Sequence, residues 1–78
     1  MNAPETRTLD QLPKATDAHI EGFCNEALAT KMIAMGIRPG MSIRILRTAG
    51  RHGRTLYVKV ARQQFAIRRT EAACILLK

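Results

Sequence analysis

The sequence predicts a mostly β fold, a small barrel of about five short strands with one α-helix inserted after the first. Three observations carry that reading. Period-2 alternation fills the chain after residue 41, most cleanly where Leu56, Val58 and Val60 alternate with Tyr57 and Lys59. One helical stripe lies upstream, with Leu28, Met32 and Met35 at i, i+4 and i+7. Between them, Gly36-Ile37-Arg38-Pro39-Gly40-Met41 stops a helix and turns the chain into a sheet.

The elements follow in order. Residues 1–7 read as a flexible N-terminal tail, polar and without period, and residues 8–78 as the folded domain. Leu9 and Leu12, just before Pro13, anchor the start of the fold. Ile20 and Phe23 mark an irregular first strand within Asp17–Cys24. Asn25 is a good N-cap, and Glu26 adds a negative charge where the helix dipole favours it. The helix then covers about Glu26 to Met35, with Lys31 late in it and Ile33 widening the apolar stripe. Gly36 can take the left-handed conformation that ends a helix. Pro39 presets φ for a turn, and Gly40 supplies the positive φ of its second central position. Gly36, Pro39 and Gly40 are therefore structural.

Strands fill the rest. Met41, Ile43 and Ile45 alternate with Ser42, Arg44 and Leu46, and residues 49–54 form a glycine-rich connector. Ala61-Arg62 makes a tight connection without the usual Asn-Gly chemistry. Phe65 and Ile67 face inward on the next strand. Thr70 caps a brief helical turn over residues 71–73, and Ile75 and Leu77 face inward on a last short strand. Five short strands in so small a chain protect their edges best by curling up, which gives an SH3-like barrel.

Composition sets further bounds. The 78 residues make one domain with a marginal core. Phe23, Tyr57 and Phe65 are its aromatic residues, so that core is aliphatic. No apolar run approaches the roughly 20 residues that cross a bilayer, which predicts no membrane insertion. The N-terminus lacks the basic start and apolar stretch of a secretory signal, which predicts a cytoplasmic chain. Cys24 and Cys74 stand in no Cys-x-x-Cys pair and read as reduced, small apolar side chains, with a disulfide as the alternative only for an exported chain.

Charge is lopsided. Residues 1–26 carry two basic residues against five acidic ones, a balance of −3, whereas residues 27–78 carry eleven against Glu71 alone, a balance of +10. Such a field favours an anionic partner. Ser42, Cys24 and Cys74 could be nucleophiles, but no neighbouring sequence suggests an activating base, and there is no phosphate-binding loop or dinucleotide fingerprint. This excludes an enzyme. Arg44, Arg54, Lys59 and Arg68 could track phosphates, but Tyr57 alone offers an aromatic platform, which disfavours nucleic acid as the partner. His19 and Glu21, two apart on a strand, could join His52 around a divalent transition metal such as Fe²⁺. No cofactor is required. A non-catalytic adaptor fits what is present, with a metal-binding regulatory module or a basic nucleic-acid-binding barrel as alternatives.

The motif order resembles a known family. Leu9…Leu12-Pro13 comes first, then Met32…Met35-Gly36-Ile37, Pro39-Gly40-Met41, Ile43 and Ile45, Phe65-Ala66-Ile67-Arg68-Arg69, and Glu71-Ala72…Ile75. This is similar to the FeoA family, the small cytosolic component of bacterial ferrous iron transport, over residues 8–78. The resemblance implies an SH3-like barrel, a regulatory or assembly role in Fe²⁺ uptake, and a partner, the FeoB membrane transporter with its cytosolic GTP-binding domain. Related barrels occur in iron-dependent repressors, where they contact other domains and sometimes metal. Ala61-Arg62 departs from the family, which often has glycine there. Contact residues for the partner would be Lys31, Arg38, Arg68 and Arg69; the chain's own oligomeric state stays open.

Overall fold

The computed structural model describes residues 7–78. Six antiparallel strands form one sheet: β1 (Arg7–Thr8), β2 (Asp17–Phe23), β3 (Ser42–Ala49), β4 (Thr55–Val60), β5 (Gln63–Arg68) and β6 (Ile75–Leu77). Helix α1 (Glu26–Ala34) follows β2, and the short α2 (Arg69–Ala72) follows β5. The strand order across the sheet is β1-β6-β2-β3-β4-β5. Five of the strands lie where alternation predicted them. The sixth, β1, has only two residues and no period to betray it; it exists because Arg7 and Thr8 pair with Leu77 and Leu76. Arg7, expected in the tail, is thus in the sheet. The rest of that tail, residues 1–6, lies outside the described residues.

β2 changes partners midway. Asp17–His19 pair with β3, and Ile20–Phe23 pair with β6. The register shifts between Ile20 and Gly22, so Glu21 is an extra residue in the ladder. Such a bulge bends a strand and increases its twist. The irregularity seen in the sequence is therefore the hinge that lets one strand serve two ladders.

Helix α1 begins as its cap dictates: the Asn25 side-chain oxygen accepts from the Leu28 N–H at 2.8 Å. It ends in a Schellman motif. The Gly36 N–H donates to the Ile33 carbonyl at 3.0 Å and the Ile37 N–H to the Met32 carbonyl at 2.9 Å, with Gly36 at φ 92°. Ile37 and Met32 are both fully buried, supplying the apolar contact of that motif. The turn follows at once. The Met41 N–H donates to the Arg38 carbonyl at 3.2 Å across Pro39 and Gly40, and Gly40 has φ 90°, as a type II turn requires. The Gly40 N–H then donates to the Ile20 carbonyl, binding the turn to β2.

One aliphatic cluster fills the interior. Leu9, Ile20, Met32, Ile37, Ile43, Leu56, Val58 and Ile75 are all sealed from solvent, and no described polar side chain is buried with them. Ile33 is a correction to the helical stripe: it is 45% exposed, because α1 lies at the surface and buries only the narrow face of Leu28 and Met32. α2 differs too. It begins at Arg69, not after a Thr70 cap, and the Glu71 carboxylate accepts the Arg68 N–H at 3.1 Å at its start.

The largest correction concerns the cysteines. Cys24 and Cys74 form a disulfide, with Cα atoms 5.0 Å apart, within the usual range. The cause lies in the register. Phe23 pairs with Ile75, so in an antiparallel ladder the next pair outward is Cys24 and Cys74. Their backbones already meet, the Cys24 N–H donating to the Cys74 carbonyl at 3.0 Å. A separation of 50 residues left no local signal for this pairing.

Candidate functional site

The hairpin of β4 and β5 places Thr55 opposite Arg68, so the end of one strand lies against the start of the other. The chain then turns into α2, and the Arg69 N–H donates to the Arg54 carbonyl at 2.7 Å. The Arg69 guanidinium reaches further. Its Nε donates to the Gly53 carbonyl at 2.8 Å, and its Nη1 donates to the Asp10 carbonyl at 3.1 Å. The result is an open cleft of about 620 Å³ lined by His52, Arg54, Thr55, Arg68, Arg69 and Thr70. Three arginines line this cleft and no acidic residue does.

The nearest acid on the adjoining helix is committed elsewhere. Glu71 forms an ion pair with Lys31 and also accepts the Arg68 backbone N–H. The Lys31 ammonium, and secondarily the Arg68 N–H, hold the Glu71 carboxyl below its ordinary pKa against the opposing effect of burial. Arg44 pairs in the same manner with Asp17, at 2.8 and 3.1 Å, and lowers its pKa.

The structure divides the expected contact residues. Arg68 and Arg69 share the cleft, but Arg69 is held by two backbone carbonyls. Lys31 ties α1 to α2 through Glu71. Arg38 sits on the turn after α1, exposed, and its side chain makes no ion pair among the described residues. Thr55 and Thr70 complete the cleft, and sequence reasoning missed them as site residues. Only the β4–β5 register reveals Thr55, and Thr70 had been read as a cap.

The proposed metal ligands do not converge. His19 and Glu21 are exposed on β2, and the bulge at Glu21 interrupts the alternation that would keep them on one regular face. His52 lies among the cleft arginines instead. Among the described residues, no three His, Cys, Asp or Glu side chains come together to hold a metal ion. The donors among the described residues do not make up a metal centre within one chain. Ser42 lies opposite His19 in the β2–β3 ladder, but no hydrogen bond joins their side chains, and Asp17 is spent on Arg44. The aromatic platform is also taken: the Arg47 guanidinium lies 3.9 Å from the Tyr57 ring centroid. No described helix is long and apolar enough to cross a membrane.

Comparison with known proteins fits this geometry. The model of the FeoA domain matches residues 7–78. No curated protein matches the chain. Among solved structures, FeoA of Stenotrophomonas maltophilia superposes with a TM-score of 0.77 at 29% identity, over 92% of this chain and 89% of that one. That protein was solved with zinc and described as a procaryotic SH3-domain protein and candidate activating factor for ferrous iron transport. A FeoA-like protein of Clostridium acetobutylicum gives a TM-score of 0.84 at 22% identity, over 97% and 88% of the two chains, which speaks to fold alone. Iron(II) transport protein A of Clostridium thermocellum gives 0.82 at 26% identity, over 92% of this chain and 44% of that one. The described fold is thus the SH3-like one, with α1 inserted after β2.

Proposed function

This chain belongs to the FeoA family, an accessory component of ferrous iron transport, and from that premise we propose that it is a non-catalytic adaptor that docks on the cytosolic GTP-binding domain of a FeoB-type transporter. It works on the cytoplasmic side of the membrane. One observation carries the reading. The sheet and its loops present Arg38, Arg51, Arg54, Lys59, Arg62 and Arg68 to solvent, none of them in a salt bridge among the described residues. An exterior with so large a basic excess steers and orients an acidic partner, and it needs no reactive group to do so.

The test is a binding titration of the full chain against the isolated cytosolic domain of the transporter at low and moderate salt. Binding that weakens as salt rises is expected, because exposed charge pairs are screened. Arg38→Glu and Arg68→Glu are each expected to weaken it by about tenfold, the effect of placing a like charge against an acidic surface. Absence of binding at both salt concentrations would overturn the reading.

A further inference from the structure

The cleft beside α2 has a chemistry that docking does not require. Arg69 is fixed in place by its two carbonyl acceptors. Arg54 and Arg68 have no side-chain partner among the described residues and are exposed. His52, Thr55 and Thr70 complete the lining of the cleft. Of the neighbouring carboxylates, Glu71 is paired with Lys31, and Asp10, whose backbone carbonyl Arg69 reaches, accepts from the Thr8 hydroxyl. Three cations therefore line a single concavity, none of them in a salt bridge among the described residues.

We propose that this cleft binds the phosphate oxygens of a polyphosphate, either pyrophosphate or the tail of a nucleoside triphosphate. Guanidinium forks match phosphate oxygens two at a time, and threonine hydroxyls suit the remaining acceptors. A lone carboxylate would leave two of the three positive charges unmatched, whereas a polyphosphate carries several negative charges over the span of one cleft. No Phe, Tyr, Trp or large apolar side chain lines the walls, so His52 and the arginine planes alone could stack on a nucleobase. The phosphates are the recognised part. The volume, about 620 Å³, is that of a small-molecule site.

The experiment is an NMR titration of the full, ¹⁵N-labelled chain at constant ionic strength, with pyrophosphate, tripolyphosphate and a nucleoside triphosphate, and with acetate as control. Saturable amide shifts confined to residues 51–55 and 68–70 are expected with the three phosphates and not with acetate. Equal affinity for tripolyphosphate and the nucleoside triphosphate identifies the phosphate chain as the whole ligand; tighter binding of the nucleoside triphosphate identifies the nucleotide. The double variant Arg54→Gln, Arg68→Gln is expected to lose roughly tenfold or more in affinity, the effect of removing charge-assisted contacts, while Arg51→Gln, outside the cleft, retains it. Neither replaced side chain makes a bond within the chain, so the fold persists and the spectrum reports it. Shifts that do not saturate, that spread equally to Lys14, Arg44 and Lys59, or that survive the double variant unchanged would overturn the proposal. No transporter is in the tube, so this failure would leave the docking reading untouched.

Discussion

Ala61 holds, at φ 56°, the first central position of the two-residue turn between β4 and β5, with Val60 and Gln63 paired on either side. Arg62 does not share the positive φ, which matches the II′ pattern of hairpin turns, where glycine is the preferred first residue. A side chain in the left-handed region costs roughly 1–2 kcal/mol, and glycine avoids most of that at the expense of a floppier unfolded chain. Ala61→Gly is therefore expected to raise the unfolding free energy by about 0.5–1 kcal/mol, read from the urea midpoint at unchanged slope. The tightness of this connection was legible in the sequence, as was the oddity of alanine there. The role of Arg69 was not. Its acceptors are backbone carbonyls 16 and 59 positions away, and no spacing rule links an arginine to such partners.

At the scale of elements, α1 and its cap, the Schellman ending and the type II turn were all legible, because each is local chemistry within a few residues. What joins α1 to α2 was not. The Lys31–Glu71 ion pair does so directly, and the Cys24–Cys74 disulfide ties the residues just before α1 to those just after α2, where β2 meets β6. Each has its own signature. Glu71 binds its proton less readily in the folded chain than in the unfolded one, where its ordinary value is 4.5. Its contribution is thus complete above that pH and disappears as the pH falls through the lowered folded value. Thermal midpoints of the natural chain should drop below about pH 4.5. Glu71→Gln should flatten that part of the profile and lower stability near neutrality by about 1 kcal/mol. Reduction of the disulfide releases a long loop and is expected to lower the unfolding free energy by about 2–4 kcal/mol. Urea melts with and without reductant measure that loss. The reduced chain should stay folded, since the hydrogen bond between Cys24 and Cys74 backbones does not depend on the sulfur bond.

Across the whole molecule, the sheet has two edges, β1 and β5, and no ladder joins them. Arg69 spans the gap. It leaves β5 at the start of α2 and reaches the carbonyl of Asp10, in the turn just after β1, as well as that of Gly53. Arg69→Ala removes two charge-assisted bonds and leaves two carbonyls wanting, an expected loss of about 2 kcal/mol. Hydrogen exchange should quicken at Thr8–Gln11 and Arg51–Gly53 together, and Arg69→Lys should fail to rescue both, because an ammonium lacks the fork. The charge asymmetry of the sequence foretold a basic exterior. That three of those cations would gather in one cleft emerged only from the strand register.

The strand order carries one more consequence. β6 lies between β1 and β2, so a strand made after the other five must slot between the first two of them. Until Ile75 and Leu77 emerge, β1 has no neighbour, β2 has half of one, and Cys24 has no sulfur to meet. The nascent chain can assemble the β3–β4–β5 meander early, since those contacts are close in sequence. Completion of the barrel waits until β6 has left the exit tunnel, and a chain stalled short of β6 would present bare strand edges to chaperones and proteases.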